Sequence, residues 1–187
     1  MSYFKIVEYT LLPEKPYEVV KNCPGCGSKT NYINTGCFRV NANGNNLDIW
    51  VIYRCKYCKH TWNMTVYERR NPKSMSKTEL DSFMNNSKEL AYYYGTSCDF
   101  LARNKAPIDW YNSSYSLKKE TDCGVISPSF FETGDMIVIN NNYHLKVRTD
   151  RLLANLFQIS RNQVKDLIKN DFFLFTVESN RISIKRN

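Results

Sequence analysis

The sequence predicts an α+β fold in three parts. An antiparallel β module takes residues 1–72, a small helical middle with a loop and a strand takes 73–143, and two helices plus β-strands take 144–187. Three observations predict it. Two Cys-x-x-Cys pairs flank a stretch that alternates apolar and polar residues like a β-hairpin. Helix caps followed by apolar residues at helical spacing begin only after Pro72. The same signals return after residue 148 and give way to two short alternating runs.

In the first module, Tyr3 to Leu11 alternates and is rich in aromatic and β-branched residues, so it reads as a strand stopped by Pro13 and Pro16. The first cysteine pair, Cys23-Pro24-Gly25-Cys26, follows, and then short strands at Tyr32-Ile33 and at Phe38 to Asn41. Asn43-Gly44 is a hairpin signal. The return strand, Leu47 to Arg54, puts Leu47, Ile49, Val51 and Tyr53 on one face. After the second pair, Cys55-Lys56-Tyr57-Cys58, a last strand runs from His60 to Arg69, with Trp62, Met64 and Val66 on one side.

Four thiolates in two such pairs, returned to one another by a hairpin, are the ligand set of a tetrahedral zinc site. Gly25 and Gly27 stand where unusual backbone angles are expected. Cys23, Cys26, Cys55 and Cys58 are therefore read as a zinc ribbon holding one structural Zn2+. A redox dithiol is the competing reading, but it calls for one pair beside a βαβ pattern. Four sulfur ligands leave no open position for a reactive water. His60 follows closely, but four thiolates already fill the site.

In the middle, Ser76 with Glu79 and then Ser87 open two short helices, Asp99 is read as the cap of a third over Phe100 to Asn104, and Trp110 to Tyr115 reads as loop. Gly134-Asp135 is a turn before a strand, Met136 to Asn140.

Near the C-terminus, Leu152, Leu153, Leu156 and Phe157 form one apolar helix face. Ser160 and Gln163 make a capping box for a second helix, with Val164, Leu167 and Ile168 inward and Arg161, Lys165 and Lys169 in one exposed stripe. Asn170 is the expected left-handed cap, and strands follow at Phe172 to Val177 and Arg181 to Lys185.

Charge divides unevenly. Residues 1–75 hold 11 Lys/Arg against 5 Asp/Glu, 76–143 hold 6 against 9, and 144–187 hold 9 against 4. Two basic ends suggest two surfaces facing a polyanion, with solubility as the plain alternative. In the first module Tyr32, Phe38, Trp50, Tyr53, Tyr57, Trp62 and Tyr67 stand among Arg39, Arg54, Lys56, Lys59, Arg69 and Arg70. Such mixtures stack bases and neutralise phosphates, although most of these rings are expected in the core. Lys56 and Lys59 are the stronger candidates for phosphate contact. No run is long enough for a membrane span, and no signal-peptide order opens the chain, so a cytoplasmic setting is expected. Cys37, Cys98 and Cys123 then read as free thiols.

The stretch from Arg148 to Asn170 resembles the S4 RNA-binding domain, whose pattern is Arg-Leu-Asp-x-Leu-Leu, then Ile/Leu-Ser-Arg, then Leu-Ile. Asp150, Leu152, Leu153, Ile159, Ser160, Arg161, Leu167 and Ile168 fit it. Thr149 stands where Leu is usual, and Asn170 near the usual Gly. The resemblance implies an S4-like module meeting structured RNA through Arg148, Arg151, Arg161, Lys165 and, less directly, Lys169. A helical hairpin with a solvated basic face is the plain alternative, and a DNA-reading helix-turn-helix the sharper one. The latter usually has Gly near Gln158.

Over nearly its full length the chain is similar to an uncharacterised bacterial family, domain of unknown function 1062. Phe38-Arg39-Val40-Asn41-Ala42-Asn43, Thr61-Trp62-Asn63-Met64-Thr65, Arg148-Thr149-Asp150-Arg151-Leu152-Leu153-Ala154 and both cysteine pairs carry the similarity. It implies no activity. No residue set supplies a nucleophile, a base and an oxyanion site together, so an enzyme is not expected. The expectation is a non-enzymatic RNA-binding protein meeting ribosomal or transfer RNA, with ribosome association. The alternatives are a duplex-DNA regulator and a zinc-ribbon adaptor for another protein.

Overall fold

The computed structural model describes residues 5–120, 131–178 and 180–187. They divide into two compact units: Pro13–Ser114, and Met1–Leu12 with Tyr115–Asn187. These boundaries differ from the expected 1–72, 73–143 and 144–187. The first strand leaves the cysteine module for the other unit, and the middle helices join the cysteine module. Cys123 and Phe130 lie outside the described residues, as do Tyr3 and Phe4 at the start of the first expected strand. Among the described residues, no helix is long and apolar enough to cross a membrane.

The unit Pro13–Ser114 is built on an antiparallel sheet of β2 (Val19–Cys23), β3 (Ser28–Asn43), β4 (Asn46–Cys55) and β5 (Thr61–Arg70), in that order. The two strands expected at 32–33 and 38–41 are one strand, β3, with an irregularity between Asn34 and Phe38. Gly36 takes φ +74 there, and the Asn34 Oδ1 accepts its N–H at 2.7 Å. Gly44, φ +60, opens the two-residue turn between the paired Asn43 and Asn46.

Alternation along β4 buries Ile49, Val51, Tyr53 and Cys55 on one face, with Met64 and Val66 of β5 beside them. On that face lie α1 (Lys77–Met84) and α2 (Lys88–Thr96), and the short α3 (Cys98–Arg103) packs against α2 through Phe100 and Tyr94. Phe38 meets Phe83 edge-on at 5.0 Å, and Phe83 stacks on Tyr94 at 6.1 Å. Ser76 and Ser87 cap α1 and α2 as the sequence indicates. The cap of α3 is Ser97 rather than Asp99, because its hydroxyl accepts the Phe100 N–H and leaves Asp99 in the first turn.

The second unit is a five-stranded sheet in the order β6 (Tyr115–Lys119), β1 (Ile6–Pro13), β7 (Met136–Asn140), β9 (Arg181–Arg186), β8 (Phe173–Glu178). β1 runs parallel to β7, with Ile6 opposite Met136, and β7–β9 and β8–β9 are antiparallel. Tyr115, read as loop, begins strand β6. The helices α4 (Thr149–Phe157) and α5 (Arg161–Lys169) lie between β7 and β8 in the chain. Leu152, Leu153, Leu156 and Phe157 are buried as expected, and Phe157 stacks nearly flat on Phe173 at 5.2 Å. Burying such side chains is worth about 1.5–3 kcal/mol each, so this contact anchors α4 on β8.

Candidate functional site

The two cysteine pairs close over one point in the unit Pro13–Ser114. The Cys23 and Cys58 sulfurs are 3.3 Å apart, those of Cys26 and Cys55 are 3.8 Å apart, and all four lie within 4.8 Å of one another. Sulfurs bound tetrahedrally to one ion at about 2.3 Å stand about 3.8 Å apart, so the cluster is close enough to bind a metal ion. Cys23 and Cys55 are buried, Cys26 is half-buried and Cys58 is exposed. His60 stands outside the cluster.

Each pair sits in a tight turn of the same design. The Cys23 carbonyl accepts the N–H groups of Cys26 and Gly27, and the Cys55 carbonyl accepts that of Lys59. Gly27 and Lys59, each directly after its pair, both take left-handed backbone, φ +67 and +66. Gly25 matters for space instead: a Cβ there would stand 2.9 Å from the Cys58 sulfur.

Packed this closely, the thiols titrate apart. Sharing a proton with Cys58, together with burial, pushes the Cys26 thiol up to about 12. Burial also acts to raise Cys55, but the Thr30 hydroxyl at 3.3 Å and the N–H groups of Cys58 and Tyr57 outweigh it and bring Cys55 down to about 6. The cluster therefore does not carry four negative charges unaided, and a divalent cation would relieve that repulsion.

Lys56 and Lys59 flank Cys58, but both are engaged. The Lys56 ammonium lies 3.1 Å from the carboxylate of buried Glu18, which also meets Lys15 and Asn31. The Lys59 ammonium donates to the Lys56 carbonyl at 2.8 Å.

The other predicted cations gather in the second unit. Arg148 donates from Nε and Nη2 to both oxygens of Asp150, at 3.1 and 2.9 Å. Arg161, first residue of α5, reaches the same carboxylate at 3.3 Å. Asp150 is only 14% exposed, while Arg148 and Arg161 are 71% and 52% exposed. Hydrogen bonds from Arg148 hold the Asp150 carboxyl below its ordinary range. Arg151 lies over the Tyr115 ring at 5.8 Å. Lys165 and Lys169 are exposed on α5.

Sequence reasoning missed Asp150 as the hub of these cations. The signal is present in Arg148, Asp150 and Arg151 at the start of a helix, but Arg161 reaches the carboxylate only through the α4–α5 turn. In that turn Gln158 takes φ +53, so the left-handed conformation exists without the glycine a helix-turn-helix usually places there. At the end of α5 the left-handed residue is Asp171, φ +51, rather than Asn170.

The fold and the cysteine cluster define an α+β protein with four thiols fit to hold a metal ion. Its residues 40–179 match the model of the family described as protein of unknown function (DUF1062), and the chain belongs to that family. The match begins after the first cysteine pair, so it is shorter than the nearly full-length similarity expected. No curated protein and no solved structure matches the chain.

Proposed function

We propose that this is a non-enzymatic RNA-binding protein of the cytoplasm, with a zinc-ribbon β module and an S4-like helical surface. Cys23, Cys26, Cys55 and Cys58 hold one structural zinc ion, which would crosslink the two turns and add folding free energy. Arg148, Arg151, Arg161, Lys165 and Lys169 contact structured RNA, ribosomal or transfer, through phosphates and shape. Lys56 and Lys59 contribute less, because each already has a partner.

The observation that carries the reading is the convergence of Arg148 and Arg161 on one carboxylate. A guanidinium has five N–H donors, and Asp150 uses only some of them on each arginine. Two arginines are thereby pre-ordered with donors to spare, which is suited to bidentate phosphate recognition. Crosslinking in cells followed by sequencing tests it. Enrichment of one structured RNA is the expected result, and recovery of no RNA above background refutes the reading.

Left-handed Gln158 favours a second reading, a helix-turn-helix with α5 in the major groove of DNA and β8–β9 behind it. Recovery of duplex DNA at defined sites in the same experiment would establish that reading instead.

A further inference from the structure

The cysteine-bearing sheet has two faces, and only one packs the helices α1 and α2. Phe38 is on that inner face, against Phe83 and Tyr94, and Trp62 shares it beneath the Lys21 ammonium at 4.3 Å. The opposite face follows from the register. Arg39, Trp50 and Thr65 form one row across β3, β4 and β5. Ile52 stands beside Asn63, and Ile33, Arg54 and Thr61 form the next complete row. Trp50, Ile52 and Ile33 are half-buried, while Arg39, Arg54 and Thr61 are exposed.

We propose that this second face binds single-stranded nucleic acid. A base stacks on Trp50, a second lies on Ile52 and Ile33, and Arg39 and Arg54 take the flanking phosphates. The site lies in a different unit from the α4–α5 surface and does not depend on it.

Charge selects this occupant. Asp48 is the acidic side chain at the β3–β4 end of the face, and it is buried. Its oxygens accept the Arg69 N–H at 2.8 Å and the Asn43 amide at 3.2 Å, so its charge is turned to the protein's own groups. At the β2 side Asn31 is taken by Glu18 and Asp109, which places the proposed surface toward β4 and β5. There Arg39 and Arg54 are exposed and Thr61, Asn63 and Thr65 are neutral, while the exposed carboxylate of Glu68 stands toward the Asp48 end of β5, away from Arg54. The Arg39 guanidinium is 6.0 Å from the Trp50 ring centre, at the outer limit of a cation–π contact. Arg54 stands four residues along β4 from Trp50, about 13 Å away, a span suited to a short stretch of extended strand. Stacking on an aromatic ring is tolerant of sequence, so the surface would bind single strands of varied composition.

The test uses the full-length protein with 12-residue oligouridylate and oligothymidylate. Both are expected to bind and to quench tryptophan fluorescence. Trp50→Ala should weaken both by roughly tenfold or more. Trp50→Phe should retain most of the affinity and lose the quench. The proposal is overturned if neither oligomer binds, if Trp50→Ala binds as the wild type does, or if the quench persists in Trp50→Phe. Structured RNA binding that disappears in Arg161→Ala would be unaffected by any of these outcomes. If Trp50→Ala does not fold, the Trp50→Phe quench decides the matter.

Discussion

At the scale of residues, Gly25, Lys59 and Glu18, all near the cysteines, carry testable consequences. A methyl group at Gly25 meets the Cys58 sulfur at 2.9 Å. Gly25→Ala should therefore cost about 1–3 kcal/mol in denaturant unfolding and weaken cobalt or zinc uptake. Lys59 takes φ +66 without being glycine, so Lys59→Gly should gain about 1 kcal/mol in the same assay. Glu18 gives a pH-dependent effect. Burial acts to raise its carboxyl, but hydrogen bonds from Asn31, Lys56 and Lys15 bring it below the ordinary range. A depressed folded-state carboxyl stabilises above the unfolded pKa, and that stabilisation disappears as pH falls through the folded value. Lys56→Met should thus cost up to about 1 kcal/mol at neutral pH, modest because Lys56 is half exposed and Lys15 and Asn31 remain. The deficit should shrink as pH falls below about 4 in urea titrations. A growing deficit in acid would rule this account out. At this scale the sequence is a good guide to the cysteines, whose spacing is local. It is a poor guide to Lys56, whose partner Glu18 reaches it only through the folded sheet.

At the scale of elements, short-range signals read well. The Ser160–Gln163 capping box forms as written. Because α5 buries Val164 fully but Leu167 and Ile168 only by half, it depends on its cap, and Ser160→Ala should cost about 1 kcal/mol and speed amide exchange in α5. Backbone conformations imposed by tertiary contact are not legible. Gln158 and Asp171 are left-handed without being glycine, and no local residue announces it. Tyr115 to Lys119 resembles loop because its alternation is short and follows Asn112-Ser113-Ser114. It becomes a strand by taking a place beside β1.

At the scale of the whole molecule, the α+β class is legible but the unit boundaries are not. β1 looks like the first strand of the cysteine module, yet it pairs in parallel with β7, about 130 residues later. Nothing in its alternation distinguishes one sheet from the other, since only its face is encoded and not its partner. The four cysteines lie in Pro13–Ser114, so with the proposed zinc bound a strong chelator should lower the melting temperature. Calorimetry with and without chelator checks this, and an unmoved transition would count against the zinc. The proposed grip of α4 and α5 on RNA phosphates is tested most directly by the salt dependence of binding. Affinity for transfer RNA and a ribosomal RNA fragment would be measured across a salt series for the wild type and for Arg161→Ala with Lys165→Ala. Weaker binding is expected, with a slope reduced by about one for each phosphate the variant no longer neutralises. An unchanged affinity with an unchanged slope would contradict it.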